Sequence, residues 1–186
     1  MIMKRLLFLV FALMTTVVAF GQNDEVTDYE YKSAWGFRVD AGFNVVGQYY
    51  IDNASYIEGR FGPSMYAFVN KNLQEIGLAS INFITAEFTI LYGRKIVIWD
   101  GPGGKTEWSF DLGMGSNAGG NSGIAYIGST LLTKVGLRFK DVPIGISFDY
   151  TPSIGVVLLD LGDTRKTPFF NQYGLMNIGV SLTRYF

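Results

Sequence analysis

The chain has 186 residues, 15 Lys and Arg against 16 Asp and Glu, a formal net charge of −1, 48 % hydrophobic content, no Cys and no His. Without Cys there are no disulfides, thiolate metal sites or cysteine nucleophiles, and without His the commonest general base and metal ligand is missing, so Ser-His hydrolytic triads are excluded. The near-zero charge offers no basic surface to nucleic acid.

The length suits one domain with a sizeable core. The 23 Gly, 15 Phe and 11 Tyr, spread evenly, favour strands over helices. The chain opens MIMKRLLFLVFALMTTVVAFGQ. Lys4 and Arg5 form a positive start, Leu6 to Phe20 an apolar stretch too short to span a bilayer as a helix, and Ala19 and Gly21 stand at export-type spacing before Gln22. Residues 1–21 therefore read as a secretory signal peptide, residues 22–32 as a short polar leader, and 33–186 as the folded domain.

From residue 33 the pattern has period two. Trp35, Phe37, Val39, Ala41 and Phe43 alternate with Gly36, Arg38, Asp40, Gly42 and Asn44, which puts each set on one face of a strand. The same split recurs in Glu107–Gly115, Lys134–Phe139, Ile144–Tyr150 and Asn177–Phe186. Short turn signals at Asp52-Asn53-Ala54 and Lys140-Asp141-Val142-Pro143 alternate with longer loops expected at Asn70–Ile76, Ser116–Gly123 and Asp160–Asn171. Eight strands follow, over 33–40, 42–51, 55–68, 78–94, 106–116, 126–140, 143–158 and 172–186. In the fourth, Asn82 and Glu87 differ in parity, so one faces the wrong way unless a bulge intervenes. The fold class is all-β, a single antiparallel up-and-down transmembrane β-barrel of about eight strands.

Which face points inward decides between a soluble barrel and a membrane barrel. The polar parity mixes small residues with charges of both signs: Arg38, Asp40, Glu58, Arg60, Glu87, Glu107, Asp111, Lys134, Arg138 and Asp149. That mixture suits a narrow lumen in which charges must pair, because eight strands leave a bore that side chains just fill. Nine of them, all but Glu87, are taken as a lumen charge network. Trp35, Tyr49, Tyr50, Trp99, Trp108, Tyr150, Tyr185 and Phe186 are expected near strand ends, as an aromatic girdle at each membrane interface.

With these features the chain resembles the small eight-stranded outer-membrane β-barrels of Gram-negative bacteria, the OmpX/OmpA-like group. The resemblance is carried by the export signal ending AFGQ, the hairpin WGFRVDAGFNVVGQYYIDNASYIEGRFG, the hairpin VGLRFKDVPIGISFDYTPSIGV and the ending MNIGVSLTRYF. It implies an outer-membrane location, membrane lipids as surroundings, a monomer, and a C-terminal strand read by the barrel-assembly machinery. That role would fall on Phe186, with Tyr185, Leu182 and Gly179 in the same strand. The family carries an aromatic two residues before its end, where this chain has Arg184, with Tyr185 displaced by one.

The expected function is non-enzymatic: a barrel with a filled polar lumen, acting structurally or through extracellular loops in binding, adhesion or envelope integrity. No cofactor or metal is implied. The alternatives are a lipid-modifying outer-membrane enzyme, whose base would have to be Lys134, Glu58 or Asp111, and a secreted lipid-binding barrel of lipocalin type. The latter calls for Gly-x-Trp near the first strand, whereas here Trp35 precedes Gly36.

Overall fold

A computed structural model of the chain describes residues 31–68, 81–159, 167–173 and 177–186, with side chains over 31–65, 84–158 and 177–186. The signal, most of the leader, the loop at Asn70–Ile76 and the side chain of Asn82 lie outside the described residues. The described residues form ten strands: β1 Ser33–Val39, β2 Phe43–Tyr50, β3 Ser55–Phe68, β4 Ile81–Asp100, β5 Thr106–Gly120, β6 Ile124–Phe139, β7 Ile144–Tyr150, β8 Ser153–Leu159, β9 Thr167–Tyr173 and β10 Ile178–Tyr185.

All pairings are antiparallel. Each strand from β1 to β6 pairs with the next, β6 pairs with both β7 and β8, β8 with β9, and β7 with β10. β7 and β8 are two halves of one stave, as are β9 and β10, so the barrel has eight staves. It closes where β1 meets β10, from Ala34 opposite Tyr185 to Val39 opposite Val180. Closure leaves the wall from β1 to β10 without a sheet edge. Backbone bonds tie the terminal residues together: Lys32 and Ser33 N–H donate to the Phe186 carbonyl, and Phe186 N–H to the Ser33 carbonyl. Lys32 is thus already part of the wall, one residue earlier than expected. The end carrying Tyr31 and Phe186 is called the terminal end here, and the opposite end the far end.

Several boundaries differ from expectation. Ser116–Gly123, read as a loop from its small polar composition, is mostly strand: β5 runs to Gly120, β6 starts at Ile124, and three residues turn between them. Pairing to β4 on one side and β6 on the other overrides weak local propensity. β4 continues to Asp100 rather than ending at Arg94. Its KIVIWD stretch loses alternation because a bulge lies between Val97 and Trp99. Glu87 faces inward and the β3–β4 register is unbroken through it, so no bulge occurs there. The stave expected at 143–158 breaks at Pro152, which has no N–H for the ladder; its carbonyl still accepts from Leu131. β9 occupies part of the loop expected at Asp160–Asn171.

β1 and β2 are short, and Asp40 caps their turn: the Gly42 N–H donates to Asp40 Oδ1 at 2.7 Å and the Asn44 amide to the same oxygen at 3.3 Å. Beyond this turn β3 and β9 approach each other without a ladder.

Burial is inverted relative to a water-soluble domain. Among the described residues 34 large apolar side chains are exposed, and eight apolar residues are buried. The exposed set encircles the wall: Phe37, Val45, Phe61, Phe88, Leu131, Phe148 and Val180 come from seven different strands. The inner face is polar. Large inner side chains fit because glycine stands opposite them. A Cβ on Gly93 would collide with the Tyr56 ring, and one on Gly179 with the Arg38 guanidinium.

Candidate functional site

The inner face carries the chemistry, because alternation sends every second residue of each stave to one enclosed volume. All nine residues of the expected network point inward, and they fall into two connected groups.

The central group draws on five strands. Arg38 on β1 reaches Asp149 on β7, with Nε and Nη2 donating at 2.7–3.1 Å, and Nη2 also meets Thr151 at 3.3 Å and Asn177 at 3.2 Å. Arg38 Nη1 pairs with Asp40 as well. Arg60 on β3 bridges Asp149 at 3.3 Å and Glu58 at 2.5 Å. Glu58 also accepts from Gln48 at 2.6 Å and from Lys134 at 3.0 Å. Lys134 lies 3.4 Å from Asp111 on β5, whose Oδ2 accepts the Tyr56 hydroxyl at 2.8 Å. The result is a continuous chain from Asp40 through Arg38, Asp149, Arg60, Glu58 and Lys134 to Asp111, in which each charge alternates in sign with its neighbours. Buried charges are tolerable only under such pairing.

The second group closes the terminal end. Glu107 on β5 holds Lys95 at 3.0 Å and Arg138 at 3.1 Å, with Lys140 at 3.9 Å; Lys140 also meets Asp100 at 3.1 Å. The Arg138 guanidinium lies 5.4 Å from the Tyr31 ring centroid and 5.6 Å from that of Tyr185, within cation–π range.

Several inner residues were not singled out from sequence. Tyr56, Leu91 and Leu132 form a buried apolar cluster in the middle of the polar interior, with Tyr50 packed against it and Lys134 lying 4.4 Å over the Tyr56 ring. Parity could have found them: Tyr56 matches Glu58, Leu91 matches Glu87, and Leu132 matches Lys134. Towards the far end, Glu87 accepts from Tyr126 at 2.8 Å and Thr89 at 2.8 Å. Of the expected girdle, Trp35, Tyr49, Trp99, Trp108, Tyr150 and Phe186 are exposed on the outer face. Tyr150 sits mid-stave, at the β7–β8 junction. Tyr50 and Tyr185 turn inward instead: the Tyr50 hydroxyl donates to Gln48 at 3.0 Å, and Tyr185 packs over Gly145. Adjacent strand residues face opposite ways, so Tyr49 and Phe186 take the outer positions. In the C-terminal strand Leu182 is also outward, and Gly179 leaves room for Arg38.

Among the described residues, two chambers open into the interior. One of about 20 Å³ lies against Gln48, Glu107, Asp111, Lys134 and Arg138, and one of about 10 Å³ against Arg38, Arg60, Glu87, Asn117 and Ser153. Each is water-sized. Asp111 Oδ1 borders the first and Arg60 Nη2 the second, and neither has a protein partner among the described residues. Chemically, the interior offers paired charges and room for single waters. Set against protein-family models, curated proteins and solved structures, the chain matches none.

Proposed function

We propose that this chain is an integral outer-membrane β-barrel of a Gram-negative envelope, exported by its N-terminal signal and non-enzymatic. Its role is structural, or is exercised through its far-end loops in binding, adhesion or envelope integrity. The observation that carries this reading is the inverted burial: an apolar belt around the whole wall and a salt-bridged interior. Burying an apolar side chain is worth about 1.5–3 kcal/mol, so a belt of this size in water would be a standing liability, whereas in lipid it is the stable face. The outward positions of β6 run from Ala125 to Phe139, longer than the ~9–11 residues that a tilted strand needs to cross a bilayer. The OmpX/OmpA-like resemblance of the two hairpins and the C-terminal strand supports the same reading. So does the position of Arg184, outward but two residues from the end, where a cation can reach the interface at a cost of about 0–1 kcal/mol.

The polar interior speaks against a lipocalin-type carrier, which needs an apolar cavity. Lys134, held between Glu58 and Asp111, is better suited to an ion-pair role than to activating a nucleophile. Surrounding lipids and the barrel-assembly machinery are the partners this reading requires, and it favours a monomer.

The test is cell fractionation followed by gel electrophoresis with and without boiling. The protein is expected in the outer-membrane fraction, with a mobility that shifts on heating. Release by buffer without detergent would overturn the proposal.

A further inference from the structure

We propose that the chamber of about 10 Å³ beside Arg60 and Glu87 is the site of a single structural water that links these two residues and so joins a third polar group to the central ion-pair chain. Glu87 on β4 is 7 % exposed and Arg60 on β3 is 4 % exposed, so bulk solvent serves neither. The Glu87 carboxylate accepts from the Thr89 hydroxyl through Oε1 and from the Tyr126 hydroxyl through Oε2, both at 2.8 Å. Neither donor carries charge, and a buried carboxylate is tolerated where an opposite charge answers it. Arg60 has the donor that Glu87 lacks. Its Nε serves Glu58 and its Nη1 serves Asp149, while Nη2 is buried with no protein partner among the described residues. Arg60 and Glu87 line the same chamber.

The chemistry of the walls selects the ligand. Arg38 and Arg60 oppose a metal cation there, and Asp40 and Glu87 oppose an anion. The volume holds one small molecule. Water fits, because it can accept from Arg60 Nη2 and donate to a Glu87 oxygen, which has a lone pair to spare. Thr130 and Ser153 on the same wall offer the further polar atoms that a buried water takes. Glu87 also carries a cluster with it. The Tyr126 hydroxyl meets that of Thr85 at 3.1 Å, and Thr85 Oγ1 lies 3.2 Å from the Ser64 carbonyl. Ser64 bridges Gly42 at the β1–β2 turn. One solvent site therefore couples β4 and β6 at the far end to the ion pairs at the centre. The site uses only interior groups, so it stands apart from the membrane reading.

Two measurements on the purified, folded protein test the site. A crystal structure should show one ordered water within about 3.2 Å of both Arg60 Nη2 and a Glu87 carboxylate oxygen. Direct contact between Arg60 and Glu87, a chamber without density, or density that exchanges with bromide and so marks an anion would each overturn the proposal. The second measurement is a double-mutant cycle followed by urea unfolding. Arg60→Lys keeps the cation that faces Glu58 and Asp149 but removes the second guanidinium nitrogen. Glu87→Gln should raise the unfolding equilibrium constant about tenfold in the parent, through loss of a hydrogen bond to a charged group. In the Arg60→Lys background the same change should raise it by less than about threefold, or lower it, since the link is already gone. An equal factor in both backgrounds would show that Glu87 senses charge alone, and the water link would be refuted.

Discussion

Replacing Lys134 with Met tests whether the central ion-pair chain holds the barrel together. Lys134 is 5 % exposed, so solvent does little to screen it. Its ammonium serves Glu58 at 3.0 Å and Asp111 at 3.4 Å. Without it, Glu58 keeps Arg60 and Gln48, but Asp111 keeps only the Tyr56 hydroxyl. Stranding a buried charge costs about 3–5 kcal/mol. The chamber beside Asp111 has room for a water to solvate the carboxylate, so the expected loss lies near the lower end, about 3 kcal/mol. The double variant Lys134→Met/Asp111→Leu removes both charges and leaves a single Tyr56 hydroxyl without its acceptor, a deficit of about 1–3 kcal/mol. It should therefore be more stable than the sum of the two single variants by about 2 kcal/mol or more. Reversible urea unfolding in detergent or vesicles, followed by the heat-sensitive gel shift, measures all four proteins. A Lys134→Met variant within 1 kcal/mol of the parent, or strictly additive losses, would refute the view that these charges act as one network.

Phe148→Arg places a cation in the outer belt between Val135 and Val180; it should cost about 2–4 kcal/mol in a bilayer, and a stability unchanged in vesicles would contradict the lipid-facing assignment. Gly179→Ala puts a methyl group into the Arg38 guanidinium and should cost about 1–3 kcal/mol by overpacking, read as a lower urea midpoint. Deleting Phe186 should reduce the heat-modifiable fraction recovered from cells while leaving the interior ion pairs intact; undiminished recovery would mean that the last residue is ordinary strand.

Strands with clean alternation were legible because one repeating rule covers them: β1, β7 and β10 each have one exposed apolar face and one buried polar face. The bounds of β1 match expectation to within a residue, whereas β7 stops at Tyr150 instead of running to 158 and β10 starts at Ile178 instead of 172. What escaped was set by partners distant in sequence. SNAGG at the end of β5 has the composition of a loop and becomes strand because β4 and β6 flank it. KIVIWD has no alternation to read, since its bulge breaks the period. The charges of the central group could be assigned to the lumen from parity alone. That Arg38 would reach Asp149 as well as the nearby Asp40 depends on the closing register of β1, β10 and β7, which no local pattern encodes. Tyr185 shares the parity of Gly179, Ser181 and Thr183, which places it at the lumen or rim, where its ring lies over Gly145; Tyr50 turns inward by the same rule, on the face of Gln48.

The seam between β1 and β10 also shapes how the barrel is reached from the unfolded chain. Its paired residues lie 141–151 positions apart in sequence, whereas the other neighbours are joined by hairpins or by the short breaks within a stave. Bringing such distant ends together carries a loop-closure entropy of about 4 kcal/mol, which no local contact offsets in advance. Closure is then the last event in folding, after the sheet that brings the two ends together has formed. Until it happens, the half-built sheet has two open edges able to pair with another chain. Interactions made only at this seam are absent from the transition state, so weakening them should speed opening of the finished barrel more than it slows its formation. The seam therefore sets the lifetime of the closed barrel rather than the rate at which it forms.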